Sequence, residues 1–234
     1  MSGADRDGAV SGADRDGAGR PVVAAFDVDG TLTVSDCVGP FLRRLGGLHG
    51  ILLAALRRPV ATVVGLLRRD RDRLKEVFVG GVYRGRSVDA VRAAGREFAR
   101  HVEGTMLRHD TRARLHWHQA QGHRTVLVSA SLRAYLDPLA ELLGVEHVVC
   151  TDVVVDGGRY THLLKGPNCR AAEKVVRLRV LLATHGMEHA EVWAYGDSRG
   201  DQELLEAADH PVWAKDILLT PAPAPAPESE GRTS

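Results

Sequence analysis

Pro21-Val-Val-Ala-Ala-Phe26, followed at once by Asp27-Val28-Asp29-Gly30-Thr31, is an apolar run of strand length that stops abruptly at a carboxylate. Small and β-branched residues without polar alternation predict a strand buried on both faces, as in a parallel sheet covered by helices. Two further runs share the pattern: Arg124-Thr-Val-Leu-Val-Ser129 closes in Ser-Ala-Ser, and Glu191-Val-Trp-Ala-Tyr195 closes in Gly-Asp. Residues at helical spacing lie over Leu132–Leu143, Ala171–His185 and Asp201–Ala208, and Pro138 predicts a kink in the first. Val148–Cys150 and Val153–Val155 add shorter β segments, and Asp156-Gly-Gly158 predicts a hairpin turn into Arg159–Leu163. The alternation predicts an α/β fold, a Rossmann-like parallel sheet with helices on both faces.

The span 39–121 has a different texture. It carries no strand signal, and Leu, Val and Ala recur at three and four residues between arginines, which predicts an all-helical cap inserted after the first strand. The catalytic core is then expected from 21–38 and 122–219. Residues 1–20 hold the octapeptide Ser-Gly-Ala-Asp-Arg-Asp-Gly-Ala twice and predict a disordered leader; the Pro/Ala tail 220–234 predicts a second disordered end.

The formal net charge of +1 hides an uneven distribution. Between Pro40 and His116 lie 17 Arg or Lys and 7 Asp or Glu, against 14 and 23 in the remainder. A basic insert in an acidic body predicts either a solvated Arg-rich surface or contact with something anionic. Its most apolar stretch, Leu45–Leu67, is cut by Arg57-Arg58-Pro59 into runs too short to span a bilayer but able to lie on one. No interleaved aromatics or recognition motif accompany the arginines, which argues against a nucleic-acid partner. Cys37, Cys150 and Cys169, scattered and odd in number, exclude a disulfide framework and predict a reducing, cytoplasmic setting. The start, MSGADRDGAV, lacks the apolar segment of a secretory signal.

Ligands of open parallel sheets sit at the carboxyl ends of strands. There the first strand delivers Asp27 and Asp29, the second Ser129 and a later one Asp197, while Lys174 opens the helix leading to that later strand. Gly30 allows the outward turn by which both first carboxylates reach one site. Three Asp, one Ser and one Lys on one edge suit a hard divalent cation with a phosphate monoester. His116, His118 and His123 have no Cys or carboxylate at ligand spacing and are expected at the surface. Cys37 and Cys169 lack the His partner of a nucleophilic cysteine.

These motifs resemble the haloacid dehalogenase-like superfamily, in particular its phosphoserine-phosphatase-like branch with a helical cap. Phe26–Thr33 matches the first motif, D-x-D-x-T, without a departure; Ser129-Ala-Ser131 is similar to the second and Gly196–Asp201 to the fourth, G-D-x-x-x-D. The third motif is a lone lysine, for which Lys165 and Lys174 are candidates; Lys174, at a predicted helix start, fits the branch better. The resemblance implies an Mg²⁺-dependent phosphatase. Asp27 would be the nucleophile, and Asp29 the general acid and then base. The metal set would be Asp27, the backbone carbonyl of Asp29, Asp197 and a supporting Asp201. Thr31, Ser129, the backbone N–H of Ala130 and Lys174 would hold the phosphoryl group. A catalytically idle binding module is the rival reading, and the intact Asp27, Asp29, Lys174 and Asp197 argue against it.

The expected substrate is a small phosphorylated metabolite, with a phosphatidylglycerophosphate-like lipid phosphate or phosphoserine as the alternatives. Asp36 stands where phosphoserine phosphatases carry an acidic specificity residue, and Arg84 and Arg86 are stand-ins for the cap arginine that reads the serine carboxylate. Ser-Ala-Ser in place of Ser-Gly-Gly departs from that pattern. Asp36–Leu45 is also similar to the start of the cap in phosphatidylglycerophosphatases of the same branch, and arginines bracketing Leu- and Val-rich helices suit an anionic lipid surface.

Overall fold

The computed structural model describes residues 20–217, so the expectations for the leader before Arg20 and for the tail lie outside the described residues. The described residues form seven strands: β1 (Val22–Phe26), β2 (Arg124–Leu132), β3 (His147–Thr151), β4 (Val153–Asp156), β5 (Arg159–Leu164), β6 (Glu191–Gly196) and β7 (His210–Trp213). Five of them make one parallel sheet in the order β3-β2-β1-β6-β7, and β4 with β5 make the expected hairpin, turning through Gly157 and Gly158, both at positive φ. The strand pleat sends Ala24 and Phe26 to one face and Val23 and Ala25 to the other, each into its own buried cluster. Helices α5 (His109–Ala120) and α6 (Arg133–Leu143) cover the first face. Helices α7 (Ala172–Thr184) and α8 (Gln202–Glu206) cover the second, through Leu178, Leu182, Leu204 and Leu205. Each such side chain taken fully out of water contributes about 1.5–3 kcal/mol. The α/β architecture read from the sequence is the one observed.

Chain order reverses between β1 and β6, so the crevice at their carboxyl ends is the natural ligand site of this sheet. Asp27 and Asp197 follow directly on the last residues of those two paired strands, and the Asp27 N–H donates to the Tyr195 carbonyl at 2.9 Å.

Within the 39–121 span lie α1 (Val38–Arg57), α2 (Pro59–Arg68), α3 (Arg71–Tyr83) and α4 (Val88–Thr105), then α5. Asp70 and Ser87 cap α3 and α4, accepting from the N–H groups of Arg73 and Ala90. α1 and α2 pack on α3, whereas α4 packs on α6 of the core and α5 packs on β2. The buried stripe of α5 is Thr111, Arg114, Leu115 and His118. α6 continues through Pro138 as one helix; the Ala134 carbonyl, which the proline nitrogen cannot bond, lies against Gly95 of α4. Among the described residues no single helix is long and apolar enough to cross a membrane.

Candidate active site

The turn Val28–Leu32 after β1 brings the first-motif residues over the end of β6. Gly30 has φ +86°, and a Cβ there would fall 2.2 Å from Asp197 Oδ2, so only glycine lets the turn close on that carboxylate. Beneath it lies a cavity of about 770 Å³ between sheet edge and insert. Asp27, Asp29, Ser129, Ala130, Lys174 and Asp197 line its core side, with Asp201 beside them. The insert contributes Val38, Leu42, Ile51, Lys75 and Phe78 to the opposite wall.

Lys174, 2% exposed, donates to Asp27 Oδ1 at 2.6 Å and to Asp201 with the same ammonium. Burial alone would push the Lys174 ammonium down, but the two carboxylates outweigh it and hold it above its usual value. Asp27 is pushed up to about 7 by burial; Lys174 opposes the shift and Asp201 and Asp29 add to it. Burial, then Asp201, raises Asp197. Asp201 is fixed in turn, accepting from the Ser198 N–H at 3.0 Å and the Ser198 hydroxyl at 2.8 Å. Carboxylate oxygens of Asp27, Asp197 and Asp201 all lie within 4.8 Å of one another. Three hard oxygen donors with one ammonium between them leave excess negative charge, which fits a divalent cation such as Mg²⁺.

Asp29 points away from that cluster. Its Oδ1 accepts from the Cys37 N–H at 2.8 Å, its Oδ2 from the Ser131 hydroxyl, and Tyr135 donates to Ser131 at 2.6 Å. Burial, with Asp36 adding, raises its carboxyl above the usual range. A carboxylic acid oriented by two donors, with its proton favoured, is suited to giving that proton up to a leaving group.

Ser129 is buried at the end of the straight part of β2, its Oγ accepting from the Ser131 N–H at 3.1 Å. Asp36 lines the cavity and bonds the Gly39 N–H at 3.0 Å. Thr31 is buried but outside the cavity lining, its hydroxyl without a hydrogen-bond partner among the described residues. Arg84 and Arg86 are also outside it: Arg84 lines a second, smaller cavity, and Arg86, past the end of α3, donates to the Val82 carbonyl of that helix. Lys165 is exposed, so Lys174 is the lysine at the site. His118 corrects the surface expectation for the histidines: it is fully buried, bonded at 2.8 Å to both Tyr195 and His123, because the inner face of α5 happens to carry it. His116 is exposed and His123 half-buried. Cys37 and Cys169 are buried free thiols with raised pKa, Cys169 to about 11, as inert structural cysteines are.

Sequence reasoning missed Lys75. From α3 it donates to the Ala130 carbonyl and, at 2.8 Å, to Asn168 Oδ1, while Asp72 one turn earlier accepts from Asn168 Nδ2 at 2.5 Å. Thr151 also donates to Asn168 Oδ1, at 2.7 Å. One core asparagine thus ties the insert to the loop before α7, and burial lowers the Lys75 ammonium to about 8. Nothing in a basic helix marks one lysine as the inward one.

Residues 24–206 match the family model for haloacid dehalogenase-like hydrolases. Protein CicA of Caulobacter vibrioides is 36% identical over 191 residues, covering 81% of this chain and 84% of that protein. A probable phosphatase of Mycobacterium tuberculosis is 34% identical over 93 residues, 40% of this chain and 32% of its own. Among solved structures, a Bordetella pertussis protein of unknown function superposes with TM-score 0.68 at 29% identity, covering 81% of this chain and 87% of its own. A phospho-aspartyl intermediate analogue of phosphoserine phosphatase follows with TM-score 0.56 at 15% identity over 81% and 84%, a likeness of fold. Because the family match runs from the strand that presents Asp27 through α7, which carries Lys174, to Asp201 at the start of α8, the chain belongs to the haloacid dehalogenase-like hydrolases.

Proposed function

We propose that the chain is an Mg²⁺-dependent phosphomonoester hydrolase working through an aspartyl-phosphate at Asp27. The observation that carries this is the buried Asp27–Lys174 contact within a cluster of three carboxylates, at the floor of a cavity. Asp27, the Asp29 backbone carbonyl and Asp197 would hold Mg²⁺, with Asp201 supporting. The ion would supply the charge neutralisation without which a phosphate dianion is repelled by these carboxylates.

Asp27 attacks phosphorus in line, forming the acyl phosphate as the ester oxygen leaves. Asp29, held by Ser131 and the Cys37 N–H, gives its proton to that oxygen and then takes one from the water that attacks the acyl phosphate. Ser129, the Ala130 N–H and Lys174 hold the phosphoryl oxygens. Thr31, outside the cavity lining, would support the turn rather than the phosphate. Helices of the 39–121 span close the cavity over the reacting group and exclude water. A small phosphorylated metabolite suits the cavity, with Lys75 and Asp36 facing its non-phosphate portion. Arg84 and Arg86 do not reach it, which weakens a phosphoserine reading. Three free buried cysteines support a reducing, cytoplasmic setting.

The test is hydrolysis of an aryl phosphate and of a panel of phosphorylated metabolites, with Mg²⁺, with EDTA and by Asp27→Asn. Turnover is expected with Mg²⁺ alone and should disappear under both perturbations. Activity that survives in Asp27→Asn would exclude Asp27 as the nucleophile.

A further inference from the structure

We infer that the outer face of α1 and α2 docks the enzyme on a membrane surface that carries anionic lipid. Leu48, Leu52 and Leu56 recur every fourth residue on α1, and Val60, Val63 and Leu67 fall at spacings of three and four on α2. All six are more than half exposed. Their helices already use the opposite faces: Ala54 is buried so close to α3 that a Cβ on Gly81 would fall 2.3 Å from its own, and Gly65 is pressed on Leu74 in the same way. The outer stripes therefore have no partner among the described residues, and contiguous exposed apolar surface of this kind marks an interaction site.

Charge says what kind of partner fits. From Val38 to Arg69 the chain has no Asp or Glu. Arg57 and Arg58 stand at the bend between the two helices and Arg68 and Arg69 at the far end of α2, all exposed and none in an ion pair among the described residues. Apolar stripes rimmed by unopposed guanidinium groups complement acyl chains beneath anionic headgroups. A soluble partner helix would need only the apolar part. The two helices meet at 95°, so they do not form one straight span, and no single described helix is long and apolar enough to cross a bilayer. The exposed apolar residues of α7, Val176 and Val180, lack this context, because Glu173, Arg177 and Arg179 surround them with both signs of charge. Docking would set the active site beside the bilayer, since α1 presents Val38, Leu42 and Ile51 to the catalytic cavity from its other side.

The experiment is co-sedimentation of the full chain with vesicles of phosphatidylcholine alone and of phosphatidylcholine with phosphatidylglycerol, at low and high salt. Binding is expected only with the anionic vesicles and should weaken with salt. Leu52→Glu with Leu56→Glu should abolish it. Arg58→Glu with Arg68→Glu, which leaves both apolar stripes intact, should weaken it by about fivefold or more per arginine. Val176→Glu with Val180→Glu on α7 should leave it unchanged, and melting temperatures report whether each variant is folded. Failure of the wild-type chain to sediment with anionic vesicles at low salt would overturn the proposal, as would equal loss in the α7 variant. A dimer dissolved by the Leu52 and Leu56 changes, without vesicle binding, would assign the face to a second copy and also overturn it.

Discussion

Lys174 lies 2.6 Å from Asp27 Oδ1 and bonds Asp201 with the same buried ammonium, so one cation holds the proposed nucleophile and its supporting carboxylate together. Removing it leaves both buried carboxylates without their shared cation. Breaking a buried pair from one side costs about 3–5 kcal/mol. Lys174→Met should therefore melt roughly 6–20 °C below wild type in EDTA, at about 2–4 °C per kcal/mol for a chain of this size. Turnover should fall by about 10²–10³-fold, as for loss of one oxyanion donor. Adding Asp201→Asn to Lys174→Met should recover part of the melting temperature and none of the activity. Equal melting of Lys174→Met and wild type would exclude a charged tie.

Lys75 gives the site a basic limb near neutral pH. Burial lowers its ammonium from 10.5 to about 8, so the charge facing an anionic substrate is present below that pH and lost as pH rises through it. KM should climb above pH 8 by up to about tenfold per unit, while Lys75→Arg, whose guanidinium keeps its proton, should flatten the profile. Stability moves the other way. Between pH 8 and 10.5 the unfolded chain holds the proton that the folded chain has released, so unfolding free energy should rise with pH in that window. A KM profile that Lys75→Arg leaves unaltered would remove Lys75 from substrate binding.

What the sequence made legible follows from how each feature is encoded. β1, β2 and β6 could be read because continuous apolar runs end in residues with obvious chemistry, and their parallel pairing then brings Asp27, Ser129 and Asp197 to one edge. β7 escaped notice because it has four residues and contains Pro211, tolerated only because this is an edge strand. The docking of α5 on the sheet was equally hidden, since its buried stripe carries Arg114 and His118 where a core helix would show Leu. Lys75 and Asn168 meet across 93 residues, and such a contact is fixed by how α3 leans on the core rather than by local pattern. Arg84 and Arg86 stand outside the cavity lining for the same reason, because they follow the end of α3.

His118 should make the fold acid-sensitive. Burial, helped by His123 and Arg114, lowers its pKa from 6.5 to about 3, so it stays neutral between Tyr195 and His123. Above pH 6.5 neither state carries the proton. Below it the unfolded chain takes one up and the folded chain does not, so stability should fall by up to about 1.4 kcal/mol per unit as pH drops from 6.5 toward 3. Urea unfolding at pH 7.5 and pH 5 should differ by about 2 kcal/mol in wild type. His118→Gln, which cannot titrate, should lose most of that difference. An unchanged difference in His118→Gln would assign the acid response to other groups.

Gly95 sets how closely the insert is held to the core. A Cβ there would fall 1.8 Å from the Ala134 carbonyl oxygen, a contact of backbone with backbone that no rotamer change can relieve. Gly95 has ordinary helical φ, so Ala would normally favour α4 by roughly 0.5–1 kcal/mol. Overpacking costs typically about 1–3 kcal/mol and here should win, because α4 and α6 must separate along their whole seam. Gly95→Ala should lower the melting temperature by several degrees, whereas Gly104→Ala, at the end of the same helix with open space around its Cβ, should leave it level or raise it. The separation also moves Tyr135, next to Ala134 and the donor to Ser131, so Gly95→Ala should reduce turnover more than it raises KM. Unchanged melting of Gly95→Ala would mean that α4 can slide on α6, and that the insert is not anchored at this seam.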